Sequence, residues 1–155
     1  MSSPSTSHVV GDTSRSIRVA SVPSGHVYVR HLAATAAEAS SPRVIRLPDP
    51  HPDGSGRVAE ERWWPPVMLQ PAWIDEHADD FDVFHLHFGF DALSPDKLQG
   101  VVRALRRHGK PLVYTVHDLT NPHHETPDAH TAHLDDLIPA ADELITLKPG
   151  AAAEI

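Results

Sequence analysis

The chain has 155 residues, enough for one domain of ordinary size with a real core. Lys plus Arg number 13 against 21 Asp plus Glu, and the formal net charge of −8 argues against nucleic acid or an anionic membrane as the main partner. Cysteine is absent, which excludes disulfides and thiolate metal sites, and no apolar run approaches the roughly 20 residues that span a bilayer.

The opening residues Met1-Ser2-Ser3-Pro4-Ser5-Thr6-Ser7 have neither a basic end nor an apolar stretch, so no signal peptide is expected and a cytoplasmic protein is the default. Residues 1–15 are rich in Ser and Thr and read as a disordered tail; residues 16–155 read as one domain. Ile17-Arg18-Val19-Ala20-Ser21-Val22 reads as a first strand. It runs into the turn Pro23-Ser24-Gly25-His26, whose glycine allows close approach of backbone to ligand. Val27 to Ala39 is alanine-rich and predicts a helix that Pro42 stops; Arg43 to Leu47 predicts a second strand.

Pro48 to Pro66 holds five of the fifteen prolines and reads as a long loop, with Trp63 and Trp64 expected to pin its end by packing. Pro71 fits the first position of a helix to about Asp80, with Trp73, Ile74, His77 and Phe81 on one face. A third strand follows at Asp82-Val83-Phe84-His85-Leu86-His87. The next helix carries the clearest signals: Ser94 to cap it, Pro95 in its first turn, and Gly109 with Pro111 to end it. Its buried stripe is Leu98, Val101, Val102 and Leu105, which leaves Arg103, Arg106 and Arg107 facing out.

Pro111 to Asp118 predicts a fourth strand, and Leu119 to Asp128 a polar loop. Leu134, Leu137, Ile138 and Ala141 mark another helix, Glu143 to Leu147 a fifth strand, and Pro149-Gly150 opens a last helix. That helix reaches Ile155 without a cap, which reads as a chain cut short. Strands alternating with helices predict an α/β domain: a Rossmann-like parallel sheet of order 2-1-3-4-5 with helices on both faces. In such a sheet ligands bind outside the carboxyl ends of the strands, at the switch between strands 1 and 3.

Two strands end in histidine at that edge, so His87, His117 and Asp118 are the candidate functional residues, together with Gly25 and His26 of the first turn. His85 and His87 share a strand face, a spacing also used for zinc in barrel hydrolases, but those need roughly 250 residues. His85 is therefore read as a packed residue and His87 as part of the site's rim. His130 and His133 are three apart on a predicted helix and could share a metal, although chance spacing competes among 13 histidines.

Phe81-Asp82-Val83-Phe84-His85-Leu86-His87, then Leu105 through Leu119, then Ala141 to Ala151 together resemble the N-terminal domain of a GT-B glycosyltransferase. The group is the large retaining, nucleotide-sugar-dependent one, family-four-like. The resemblance covers residues 17–155. It implies two Rossmann-like domains with the active site in the cleft between them. The N-terminal one binds the acceptor; the C-terminal one, missing from this chain, grips the nucleotide-sugar donor. It further implies that His117 is the catalytic residue, reaching the transferred sugar. Gly25, His26, His87 and Asp118 would contact substrate, with no metal or other cofactor. The family's turn after strand 1 is usually richer in glycine than Pro23-Ser24-Gly25-His26. With the diphosphate-holding domain missing, this chain alone is expected to be inactive and to self-associate through uncovered apolar surface. A non-catalytic Rossmann-like binding module and a metal-dependent hydrolase are the alternatives.

Overall fold

A computed structural model describes residues 16–32, 42–52, 66–117 and 127–155. Five strands are present: β1 (Ile17–Val22), β2 (Val44–Arg46), β3 (Val83–Leu86), β4 (Leu112–Val116) and β5 (Glu143–Thr146). Between and after them lie α1 (Val27–His31), α2 (Pro71–His77), α3 (Pro95–Arg107), α4 (Pro127–Ala140) and α5 (Pro149–Ala152). The sheet order is β2-β1-β3-β4-β5, and every neighbouring pair is parallel. The order expected from the sequence is the order observed. The expected tail, Trp63, Trp64, Asp118 and most of the two long loops lie outside the described residues.

Register sorts the strand residues onto two faces, because paired residues of parallel strands point the same way and parity alternates along each strand. One face carries Ala20, Val22, Phe84, Leu86, Leu112, Tyr114 and Val116, and all of them belong to a single buried core. Against them pack Trp73 and Ile74 of α2, Leu98, Val101, Val102, Ala104 and Leu105 of α3, and Leu134 and Leu137 of α4. Each helix was written for that face. The i, i+3, i+4, i+7 stripe of α3 is buried along its whole length, while Arg103, Arg106 and Arg107 are exposed. Arg107 donates to Asp75 on α2 at 2.7 Å, and His108 meets the same carboxylate at 2.8 Å.

Helix ends follow proline more than side-chain caps. Pro71, Pro95 and Pro149 each stand in the first turn of a helix, where a missing N–H costs nothing. Ser94 is the N-cap residue of α3, but its hydroxyl makes no capping bond. Gly109 ends α3 at φ +61°, and the Lys110 amide closes back on the Leu105 carbonyl at 2.9 Å.

The second face of the sheet is different. It carries Val19, Ser21, Val83, His85, Val113 and Thr115, and α1 lies over its carboxyl end. No helix among the described residues is long and apolar enough to cross a membrane.

Candidate functional site

The site forms where the order of connections reverses. From β1 the chain moves outward to β2; from β2 it crosses back to β3 and continues outward through β4 and β5. The carboxyl ends of β1 and β3 are therefore not bridged by one loop, and a crevice opens between them. Its edges are tied by backbone: the His87 amide donates to the Val22 carbonyl at 2.8 Å.

His87 and His117 follow the last residues of β3 and β4 directly, so adjacent strands deliver them to one edge. Their ring centroids are 6.0 Å apart. His85 sits one strand pitch below His87 at 4.0 Å between ring centroids. Three further side chains complete the group. Tyr28 of α1 meets His117 edge-on at 4.8 Å and His87 at 5.9 Å. Phe88 meets His117 at 5.4 Å and His26 at 4.6 Å. The first turn, the third strand and the fourth strand thus converge on one patch.

The residue after Phe88 must be glycine. Gly89 has φ +93°, and a Cβ at that position would come within 3.0 Å of Pro66 Cγ. Only glycine satisfies both the left-handed backbone and the close approach. The His87-Phe88-Gly89-Phe90 turn can then double back over the carboxyl edge.

Polar partners fix the rings. His85 Nε2 and Thr115 Oγ1 are hydrogen-bonded at 2.8 Å, and Ser21 Oγ and His87 Nε2 at 3.3 Å. Burial disfavours a charged ring, and so do neighbouring positive groups. Burial, then Arg46, then His117 push the His85 pKa down to about 4. Burial, then His85, His117, Arg46 and His26 push His87 down to about 3. Both rings are therefore neutral near pH 7.

At the first turn, the Gly25 amide donates to Asp49 Oδ2 at 2.7 Å, and His26 caps α1 by accepting from the Tyr28 amide at 3.3 Å. Asp49, just beyond β2, is buried, and its Oδ1 has no hydrogen-bond partner among the described residues. The amide expected to approach a ligand is thus engaged by a carboxylate of the chain itself. His117, His87, His26 and Gly25 all line the one crevice edge; Asp118 lies outside the described residues. Tyr28, Phe88, Arg46 and Asp49 belong to the same neighbourhood and were not singled out by the sequence. A lone aromatic in an alanine-rich helix, and an arginine where a strand should turn apolar, were the signals available.

The other histidine pair does something else. His130 bonds Asp91 at 3.0 Å, His133 bonds the Leu93 carbonyl at 2.9 Å, and both rings pack on Phe90. They lock α4 onto the short turn Phe90–Ala92. Among the described residues no group of three or more histidine, aspartate or glutamate side chains is placed to hold a metal ion.

No family model matches the chain, and neither a curated protein nor a solved structure matches it.

Proposed function

We propose that this chain is the acceptor-side domain of a glycosyltransferase of GT-B architecture, transferring sugar from a nucleotide-sugar donor once a second α/β domain closes over the crevice. The observation that carries the reading is the meeting of His117, His87 and Tyr28 at the carboxyl edge of the sheet, beside the β1–β3 switch. In such an enzyme the chemistry is positioning and electrostatics. His117, half-buried between two aromatic edges, is the residue assigned to the reacting sugar. His87 and His26 stand behind it as substrate contacts. Gly25 presents backbone at the turn, and Asp118 follows His117 in sequence. No cofactor is invoked, because the donor's own diphosphate leaves. The donor would be gripped by the partner domain, and the reading places the whole in the cytoplasm.

The test uses the protein holding both domains. His117→Ala should lower turnover by about 10²–10⁴-fold while leaving nucleotide affinity nearly unchanged. Steady-state kinetics paired with calorimetric nucleotide titration reads both quantities. Unchanged turnover would reduce His117 to a strand-end packing residue. A two-domain protein that transfers sugar from no nucleotide donor would overturn the reading itself.

A further inference from the structure

Folding ordinarily hides aromatic rings, and the core of this chain hides them flat. Trp73 on α2 is buried and stacks on His77 and Phe81 with interplanar angles of 10° and 12°. The rings at the carboxyl edge are arranged otherwise. Tyr28 meets His117 at 78° and His87 at 74°. Phe88 meets His117 at 78° and His26 at 83°. An edge-on contact covers a face of one partner only, whereas a flat stack covers a face of both. Burial agrees: Tyr28, Phe88 and His117 are half-buried, and His26 is exposed. Three elements thus carry ring surface to one place and leave part of it accessible.

The charges around these rings oppose a ligand of either sign. At the first turn the Gly25 amide, the backbone donor that an anion would seek, is bonded to Asp49 Oδ2 at 2.7 Å. The other oxygen of that carboxylate is buried without a hydrogen-bond partner. An anion entering there meets an acid instead of a donor. A cation fares no better, because His85 and His87 already feel Arg46 as a positive neighbour. Arg46 is also too far back to grip a ligand of the crevice: it pairs with Val19, level with Val83, four residues short of His87. Arg30 is exposed on α1, about 200° round the helix from Tyr28.

We infer that the crevice takes an uncharged acceptor that lays a flat ring, aromatic or sugar, against Tyr28 and Phe88. An aromatic ring packs on such a surface edge-on or offset, and the C–H bonds of a pyranose are drawn to the negative face of the same rings. The inference rests on the acceptor-side reading only for the word acceptor; ring binding is measurable with no donor and no transfer.

The probes are benzyl alcohol and methyl β-glucopyranoside, each titrated into this chain at neutral pH while the ring resonances of Tyr28, Phe88 and His117 are followed. Benzoate, benzylamine and methyl β-glucuronide present the same rings with a charge. Saturable shifts are expected with a neutral probe, and its charged counterparts should bind about tenfold or more weakly. Tighter binding of benzyl alcohol assigns the site to an aromatic acceptor; tighter binding of the glucoside assigns it to a sugar. Tyr28→Leu and Phe88→Leu keep apolar volume and lose the ring, so each should weaken binding about threefold to tenfold with an unchanged melting temperature. Absence of saturable shifts with both neutral probes would overturn the site. So would a charged probe that binds as tightly as the neutral one, or wild-type affinity in both leucine variants. Ring binding that persists where a two-domain protein transfers no sugar would strike the transferase reading and leave the ring site standing.

Discussion

His85 and His87 are imidazoles whose surroundings oppose charge, and that has a consequence for stability. In the unfolded chain each has a pKa of about 6.5. In the folded chain burial first, and positive neighbours second, hold them down to about 4 and about 3. Between those values the unfolded state binds more protons, so stability rises with pH through that window. It is undiminished above about pH 6.5 and is lost as pH falls, at a rate approaching about 1.4 kcal/mol per pH unit for each ring. Denaturant melts at about pH 7.5 and about pH 5 should show a lower midpoint in acid. The ring protons of both histidines should stay at their neutral shifts throughout; titration near the ordinary histidine value would show that the rings are solvated. Glycine offers a second residue-level test. Gly89→Ala meets both a positive φ and Pro66, whereas Gly109→Ala meets a positive φ with open space around it. The first should cost about 1–3 kcal/mol and more than the second, as read by urea melts. The strand-end histidines were legible because each ends an apolar run. Their partners were not. Ser21 is an ordinary strand residue until register sets it beside His85, and register across non-consecutive strands is not written locally.

Among the elements, α3 separates what holds a helix from what merely marks its start. Leu105 is buried against the sheet and α2, so Leu105→Ala should cost about 2–5 kcal/mol. Ser94 marks the N-cap, but its side chain makes no capping bond, and Pro95 already sets the first turn. Ser94→Ala should therefore change stability by less than about 0.5 kcal/mol, below the usual loss for a working cap. Melts of both variants side by side check the contrast, and a large loss at Ser94 would mean the hydroxyl caps in solution. The five strands and the stripes of α3 and α4 could be read from sequence because they bury one face with a fixed period. The cap could not, since Ser-Pro signals where a helix begins and says nothing about where the hydroxyl points. The metal reading of His130 and His133 met the same limit. Their spacing places both on one helix face, but Asp91, Leu93 and Phe90 arrive from a segment about 40 residues earlier, and only the fold brings them there.

For the whole molecule, the two sheet faces are unequal, and the inequality reaches the edges. α2, α3 and α4 bury the core face of β1, β3 and β4, while the outer strands keep large apolar side chains in water. Val44 on β2 is 47 % exposed, and Ile145 on β5 is 42 % exposed. Leu147, just past β5, Val27 on α1 and Leu32 just after it add to that surface. Both β2 and β5 are edge strands whose outer N–H and C=O groups have no strand to pair with among the described residues. An apolar edge strand is a template for pairing with another chain, and proteins usually blunt it with charge. Here Glu143 is the exposed acidic residue on β5, and it stands at the strand's first position. The chain by itself is therefore expected to self-associate reversibly as concentration rises, through the edge strand β5. Ile145→Lys places a charge at the middle of that edge without touching the core, so it should shift the sedimentation profile toward monomer and leave the melting temperature nearly unchanged. A wild-type chain that sediments as a monomer at millimolar concentration would show that the exposed apolar side chains of β5 do not make its edge a pairing surface, and Ile145→Lys would then have nothing to shift.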